Sequence, residues 1–176
     1  MELSAHSSIS LYVHVPFCKS FCTYCDFPRV PFEPETARAI VNRLEKILEN
    51  LPDHLWGHSV SSVFFGGGTP SVLPHRDICG LIDRMQNAFR FLPDVEISVE
   101  ANPEDITPAW VGAMQSAGVN RFSCGVQSFV CAQSLGRRHT PEKAVQAVQI
   151  LREMGVDNIN LDMMFALPGQ TSADLG

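Results

Sequence analysis

The fold is decided by the stretch SLYVHVPFCKSFCTYCDF, residues 10–27, in which an apolar segment runs directly into a cysteine-rich loop. The segment SLYVHV is short, apolar and rich in β-branched residues, which predicts a buried strand at residues 10–15. The loop then places Cys18, Cys22 and Cys25 in the spacing C-x3-C-x2-C. A strand that ends in a set of thiols predicts a functional site at that strand end.

Strand-like and helix-like segments alternate along the rest of the chain. Apolar runs predict strands, and apolar residues at helical spacing predict the helices between them. Two Thr-Pro pairs mark helix starts, because threonine caps a helix and proline suits its first turn. The predicted strands are residues 10–15, 61–65, 95–101, part of 121–129, and 158–167; the predicted helices are residues 34–51, 75–91, a short segment from 107–108, and 140 to about 155.

This alternation predicts an α/β fold with a parallel sheet and right-handed crossovers. The strands are nearly continuous apolar runs, which is typical of strands buried on both faces. Five strands are too few for a closed eight-stranded barrel, so we expect a small open sheet or a fragment of a longer chain. An open Rossmann-like sheet is the competing architecture, but PFCKSFC replaces the glycine fingerprint expected after the first strand.

Composition and charge limit the functional classes. The chain has 176 residues, of which 45% are hydrophobic, and a formal net charge of -6, which disfavours electrostatically driven nucleic-acid binding. The N-terminal segment lacks the features of a secretory signal, and no apolar run approaches membrane-spanning length. We therefore expect a cytoplasmic protein without an integral membrane segment. In that reducing compartment, closely spaced cysteines favour a metal or redox role over disulfides.

Unusual residues recur where the predicted strands end. In parallel α/β folds, sites form at the carboxyl ends of the strands, which lie at one edge of the sheet. We therefore expect the following residues to surround one site: the cysteines after the first strand, Gly66-Gly67-Gly68 after the second, Glu100 ending the third, Gln127 ending the fourth, and Asp162 within the fifth.

The cysteine triplet indicates a metal site with an open position. Thiolates are soft ligands that suit iron–sulfur clusters and zinc. A four-iron cluster normally takes four cysteines, so three leave one iron free for a substrate or cofactor. Zinc completed by His14 is an alternative that the strand position of His14 disfavours, and a disulfide would leave one thiol over.

Six motifs, read together, identify a family. They appear between about Leu11 and Thr171 as YVHVPFCKSFCTYCDF, FFGGGTPS, VEANP, GVQSF, LGRRH and NLDMMFALPGQT. In combination they resemble the radical S-adenosylmethionine (SAM) superfamily. The resemblance implies a partial (β/α) TIM-like barrel and a [4Fe-4S] cluster on Cys18, Cys22 and Cys25. It also implies that SAM binds the open iron through its amino and carboxylate groups, and that one electron cleaves it to a 5′-deoxyadenosyl radical.

The resemblance also assigns cofactor contacts to residues that have plainer interpretations on their own. Without the resemblance, the GGGTP run would be interpreted as a turn. Glu100 would be interpreted as a helix-capping or solvent-facing acid, and Tyr12 as an aromatic residue of the core. The family gives GGGTP to the methionine part of SAM, Glu100 to the ribose hydroxyls, and Tyr12 to bound SAM. Around a second SAM molecule, porphyrinogen oxidases place the equivalents of Tyr24, Gln127, Arg137 and Asp162. The expected cofactor-binding residues are therefore Tyr12, Tyr24, Gly67, Gly68, Thr69, Glu100, Gln127, Arg137 and Asp162.

The remaining cysteines and histidines receive weaker assignments. His14 is equally compatible with a packed structural role and a functional one. His139 is expected to be exposed, with a heme contact as the alternative. Cys79 and Cys124 are predicted core thiols, and Cys131 lies in a predicted loop without an assigned role.

Within the superfamily, the chain resembles the coproporphyrinogen-III-oxidase-like group and, most of all, its HemW-like heme chaperones. The porphyrinogen oxidases carry a further cysteine just after the triplet, where this chain has Asp26-Phe27. Pro28 replaces the usual asparagine of HemW-like chains, and LGRRH follows GVQSF about two residues early, so the length of this loop bears on the placement of Arg137. The chaperone branch implies heme or porphyrin as cargo, an electron donor such as flavodoxin or ferredoxin, and a heme-receiving respiratory protein.

Two other functions stay open. One is a porphyrin enzyme, for oxygen-independent decarboxylation of coproporphyrinogen III or reductive opening of heme; the other is a non-catalytic zinc-binding interaction domain. No residue is assigned a catalytic role, and the choice between enzyme and chaperone stays open. We expect residues 1–176 to form a radical SAM core domain that is incomplete at the C-terminus and lacks the family's C-terminal domain.

Overall fold

A computed structural model of the chain describes residues 8–52, 55 and 58–174. The N-terminal segment considered above begins with residues 1–7, which lie outside the described residues. The strands are β1 (Ser8–Val15), β2 (Phe17–Cys18), β3 (Val30–Pro31), β4 (Ser59–Gly67), β5 (Arg90–Ala101), β6 (Arg121–Gln127) and β7 (Ile159–Met163). The helices are α1 (Pro34–Glu49), α2 (His75–Ala88), α3 (Pro108–Ser116) and α4 (Pro141–Glu153), with 3₁₀ turns at Pro70–Val72, Pro103–Asp105 and Ser172–Asp174.

The main sheet is parallel, and its strands follow one another in space as they do in sequence, in the order β1-β4-β5-β6-β7. A helix connects each strand to the next, and α1 contacts α2, α2 contacts α3, and α3 contacts α4. Right-handed crossovers in one direction place all four helices on the same face. The α/β prediction is confirmed, and the described strands lack the order reversal of a Rossmann sheet.

Burial differs between the two faces of this sheet, contrary to the prediction that both would be covered. On the helix side, Phe65 and Phe122 pack in a core with residues such as Ile78 and Leu151. On the other face, Ser62 Oγ donates to Ser10 Oγ at 2.8 Å, and further polar side chains follow on β5 and β6. Among the described strands of the main sheet, only β6 is buried along most of its length, so the face away from the helices stays partly exposed.

Two element boundaries differ from the sequence prediction. The second helix ends at Ala88 instead of continuing to residue 91, because Arg90 pairs with Ser59 at the start of β4 and begins β5. The fifth predicted strand, residues 158–167, is shorter as β7, Ile159–Met163. Ala166 adopts a left-handed conformation with φ of 60°, which an extended strand cannot contain.

Both predicted Thr-Pro helix starts are confirmed. Thr107 Oγ1 accepts a hydrogen bond from the backbone amide of Trp110 at 3.2 Å, and Thr140 Oγ1 accepts one from Lys143 at 3.3 Å. Each bond satisfies an amide that the first helical turn leaves unpaired. These caps fix the points at which the loops after β5 and β6 become helix.

Within the described ranges, no helix combines the length and apolar character that crossing a membrane would require.

Candidate metal and cofactor site

A cavity of about 260 Å³ lies at the carboxyl ends of the parallel strands. Residues from the cysteine loop and from the ends of β4, β5, β6 and β7 meet there, as their positions in the sequence predicted. The expected site residues that line it are Cys18, Cys22, Tyr24, Cys25, Gly67, Gly68, Thr69, Glu100, Gln127, Arg137 and Asp162. The structure brings these residues together, and their individual roles remain predictions.

The three cysteines of the loop are free thiols that are partly buried. They share the cavity, but no three His, Cys, Asp or Glu side chains of the described residues converge on a single metal position. Separate thiols that face one cavity suit a four-iron cluster, in which each thiolate binds its own iron. Burial raises the pKa of Cys18 while its 3.6 Å contact with Thr69 Oγ1 opposes that change, so metal binding would displace a proton.

Arg29 holds the backbone of the cysteine loop. Its guanidinium donates one hydrogen bond to the carbonyl oxygen of Cys25 and another, at 3.2 Å, to that of Cys22. The same group lies 5.1 Å from the ring centre of Phe21, within cation–π range. Arg29 therefore restrains the turn between two of the cysteines. Its only signal in the sequence was a basic residue shortly after the triplet.

Tyr12 is outside the cavity lining and is 59% exposed on β1. The carbonyl of Pro28 can only accept, so His14 Nε2 donates to it at 3.3 Å, and Nδ1 accepts from the Tyr12 hydroxyl at 3.1 Å. These bonds connect β1 to the end of the cysteine loop, which favours a structural role for His14. The prediction that Tyr12 contacts SAM stands without a cavity contact to support it.

Glu100 connects β5 to the glycine turn after β4. Its Oε2 accepts a hydrogen bond from the backbone amide of Gly67 at 3.2 Å. Burial raises the pKa of Glu100 to about 7; the bond from Gly67 opposes this, and the charge of Asp162 adds to it. A carboxylate in this position can accept hydrogen bonds from hydroxyl groups of a ligand in the cavity.

Asp162 is oriented by two side chains that the sequence prediction missed. Its carboxylate accepts from Ser123 Oγ at 3.2 and 3.3 Å and from Asn160 Nδ2 at 2.7 Å. Ser123 and Asn160 are direct partners across β6 and β7. The role of Asn160 could have been predicted from the sequence, because Asn160 and Asp162 are two residues apart on one strand and so share a face. The role of Ser123 could not, because it depends on the register between β6 and β7.

Arg137 lines the cavity despite the short loop before it. Gly136, with φ of 78°, makes the turn and approaches the backbone of Phe21 closely enough that a Cβ would lie 3.1 Å from its carbonyl oxygen. Arg137 Nη2 donates to Asn102 Oδ1 at 2.7 Å and to the carbonyl of Gly125, and Nη1 lies 3.7 Å from Cys22 Sγ.

Tyr24, another expected second-SAM contact, is beside this guanidinium. Burial raises the pKa of Tyr24 to about 12, although the nearby charge of Arg137 acts in the opposite direction. The phenol is therefore neutral at physiological pH and can donate a hydrogen bond into the cavity.

Gln127 ends β6 in a strained conformation. Its φ is 67°, in the left-handed region that favours glycine. Its carbonyl accepts from the amide of Met164 at 2.7 Å, which fixes the turn, and the pairing with β7 shifts register between Gly125 and Gln127. A non-glycine residue held in this region is typical of a functional site.

His139 is buried at 2% exposure, so the expectation that it is exposed was wrong. Its Nε2 donates to the carbonyl of Val126 at 3.1 Å, and its Nδ1 lies 3.7 Å from Oε2 of Glu104, which lines the cavity. Burial alone would raise the pKa of Glu104, but His139 and Arg137 outweigh it and the pKa is lowered. This imidazole therefore connects the loop before α4 to the end of β6.

The other cysteines lie apart from the cavity lining. Cys124 is buried, as predicted, and burial raises its pKa to about 12. Cys79 is only partly buried and donates to the carbonyl of Ala113 at 3.5 Å. Cys131 is partly buried in the segment after β6. These thiols provide natural controls for substitutions in the triplet.

Comparisons with known proteins agree with the geometry. The family model of the radical SAM superfamily matches residues 12–176. The heme chaperone HemW of Bacillus subtilis is 36% identical over 165 residues, covering 92% of this chain and 44% of that protein. An oxygen-independent coproporphyrinogen III oxidase of Bradyrhizobium diazoefficiens is 36% identical over 179 residues, covering 98% of this chain and 39% of that protein.

The solved structure of the Escherichia coli coproporphyrinogen III oxidase HemN superposes with a TM-score of 0.89 at 30% sequence identity. The match covers 97% of this chain and 40% of that one. The chain thus spans about two-fifths of the length of the relatives it matches.

Proposed function

The chain belongs to the radical SAM superfamily, among proteins similar to HemW and HemN, and from this we propose that it binds a [4Fe-4S] cluster through Cys18, Cys22 and Cys25 and SAM at the open iron. One observation carries the proposal: the three thiols share a cavity with Gly67 and Glu100. When bound, the cluster would supply the electron for reductive cleavage of SAM. The protein's own residues would bind and orient SAM, with Glu100 accepting from its ribose hydroxyls.

We further propose that the protein is a heme chaperone that delivers heme to respiratory enzymes. Support comes from the HemW relatives and from Asp26-Phe27 after the last cysteine, the segment in which the porphyrinogen oxidases carry a further cysteine. The proposal includes a cytoplasmic location, heme as cargo and an electron donor such as flavodoxin or ferredoxin. Residues 1–176 would then be a core domain that represents part of a longer protein of this family.

The second candidate is an oxygen-independent coproporphyrinogen III oxidase. It is favoured by the 36% identity to such an oxidase and by the TM-score of 0.89 to HemN. The cavity also contains Tyr24, Gln127, Arg137 and Asp162, whose equivalents surround a second SAM molecule in porphyrinogen oxidases.

Anaerobic reconstitution tests the cluster. We expect the wild-type protein to take up about four iron and four sulfide ions and to lose them in Cys22→Ser. Cys79→Ser is the matched control, because its thiol lies outside the cavity lining, and it should keep the cluster. Wild-type protein that binds zinc and no sulfide would refute the proposal and favour the zinc-binding interaction domain.

A product assay separates the two porphyrin functions in the full-length protein. The chaperone proposal predicts tight hemin binding and no carbon dioxide when the protein is incubated with SAM, a reductant and coproporphyrinogen. Release of carbon dioxide together with 5′-deoxyadenosine would instead establish the oxidase.

A further inference from the structure

A continuous hydrogen-bonded chain, made of side chains and one backbone amide, runs beside the cavity and returns to the loop where it starts. It begins one residue after Cys18 and ends at the thiol of Cys22, after crossing the loops that follow β4, β5 and β6. We call it the cross-loop network; its members are Lys19, Asp105, Ser71, Asn102 and Arg137.

The first part of the cross-loop network is an ion pair. Lys19 Nζ lies 2.6 Å from Asp105 Oδ1, and the other carboxylate oxygen accepts from Ser71 Oγ at 2.8 Å. The Asp105 side chain is only 9% exposed and that of Lys19 is 36% exposed, so water screens this pair less than an ordinary surface pair. Removing Lys19 would leave a nearly buried carboxylate without its cation.

The second part runs from the serine to the cysteine. The backbone amide of Asn102 donates to Ser71 Oγ at 3.2 Å, so this hydroxyl is both donor and acceptor. Asn102 Oδ1 then accepts from Arg137, whose other terminal nitrogen contacts Cys22 Sγ. Because arginine can only donate, these contacts fix the orientation of the Asn102 amide.

The backbone alone holds the cysteine loop at few points. Phe32 donates to the carbonyl of Cys18, and Thr23 donates to that of Leu135. A cluster needs its thiols in set positions, and ordering the loop at the moment of binding would cost affinity. Contacts that order the loop beforehand remove that cost.

We propose that Lys19 and Asp105 are positioning residues, which hold the cysteine loop in its cluster-binding conformation before the metal arrives. The proposal rests on the proposed cluster, which gives the loop its purpose. The network acts on both ends of the Cys18–Cys22 segment and ties it to three strand-end loops. None of the family motifs assigns a role to Lys19 or Asp105.

Hydrogen exchange in the cluster-free full-length protein tests the proposal without any activity. We expect amides of residues 18–25 to exchange roughly tenfold faster in Lys19→Met and Asp105→Asn than in wild type, because the loop opens more often. Lys19→Arg keeps the charge and should restore protection. Arg84→Met is the control, since it removes two ion pairs between α2 and α1 and should leave these amides unchanged.

Cluster release to a chelator gives a second measurement. We expect it to be roughly tenfold faster in Lys19→Met and in Asp105→Asn, and the double variant to lose little more than either single one. Unchanged exchange in both single variants, or equal acceleration by Arg84→Met, would overturn the proposal. A wild-type protein without a cluster would refute the proposed function, while the exchange experiment would still decide whether the network orders the loop.

Discussion

The backbone amide of Gly67 donates a 3.2 Å hydrogen bond to the carboxylate of Glu100, which joins the turn after β4 to the end of β5. These two residues are 33 positions apart in the chain and belong to different motifs. This contact couples the glycine turn to the Glu100 carboxylate. The protonation state of Glu100 should therefore affect both ligand binding in the cavity and the stability of the fold.

The Glu100 carboxyl should make both stability and SAM binding depend on pH. Its pKa of about 7 in the folded protein is above the ordinary value of 4.5, so between these values the folded state holds a proton that the unfolded state has lost. Stability from this group therefore falls as pH rises through that window. Glu100→Gln should abolish this decrease, so above pH 7 the free energy of unfolding of the variant should be about 1 kcal/mol higher than that of wild type, after allowance for solvent screening. Urea unfolding across the pH range measures it.

SAM affinity should change in the opposite direction with pH, because the ionised carboxylate is the better acceptor for ribose hydroxyls. Titration calorimetry should show tighter binding as pH rises through about 7, and Glu100→Gln should bind weakly with no such dependence. The same slope in the variant would show that another group controls binding.

Gly68 should not tolerate a side chain. A Cβ there would lie 2.7 Å from the carbonyl oxygen of Phe17 and 2.8 Å from the carbonyl carbon of Pro16, both in the backbone that leads into the cysteine loop. Gly68→Ala should cost about 1–3 kcal/mol and reduce cluster content. Gly80→Ala, in α2, is the control: among the described residues nothing outside its own helix lies within 4 Å of its Cβ, so it should stabilise by about 0.5–1 kcal/mol. Thermal unfolding and iron analysis measure both.

Gln127 allows the backbone and the side chain to be tested separately. Gln127→Gly relieves the left-handed strain and should raise stability by about 1 kcal/mol, whereas Gln127→Ala keeps the strain. If the amide contacts SAM, both variants should lose affinity equally. Loss in Gln127→Gly alone would show that the conformation of the turn, and not the amide, matters for binding.

The pair formed by the partly buried Glu104 and the buried His139 should contribute to stability at neutral pH. The pKa of Glu104 is lowered, so its contribution is present above the ordinary glutamate value and is lost as pH falls through the lower folded value. Glu104→Gln should destabilise by about 1 kcal/mol at pH 7 and by almost nothing in strong acid. A constant difference across the pH range in chemical unfolding would contradict this assignment.

The sequence predicted those features that depend on local chemistry. Thr107 and Thr140 marked helix starts because a cap needs only its own first turn. The site residues were found because the ends of parallel strands meet at one edge. Arg90 was misplaced because its pairing with Ser59 overrides the helical pattern that precedes it.

The site residues that the sequence did not reveal also depend on long-range contacts, as the position of Arg90 does. Ser123 orients Asp162 only through the register of two strands, and His139 lies buried where its imidazole reaches the carbonyl of Val126. Arg29 acts on carbonyl oxygens of the cysteine loop, which a motif of side chains does not reveal. Long-range partners and backbone acceptors are invisible to spacing and periodicity.

The span of the cross-loop network has a consequence for biosynthesis. Arg137 follows Cys22 by 115 residues, and Asp105 follows Lys19 by 86. At translation rates of about 5–20 residues per second, the thiols leave the ribosome roughly 6–23 s before the last partner of their loop is made. During this interval the nascent chain carries three closely spaced cysteines without the supports from the loops after β4, β5 and β6, and their thiols are open to oxidation. We therefore expect metal loading to occur after β6 and the loop that follows it have been translated. Labelling the thiols of stalled nascent chains of increasing length with a thiol-reactive reagent would measure when the cysteines become protected.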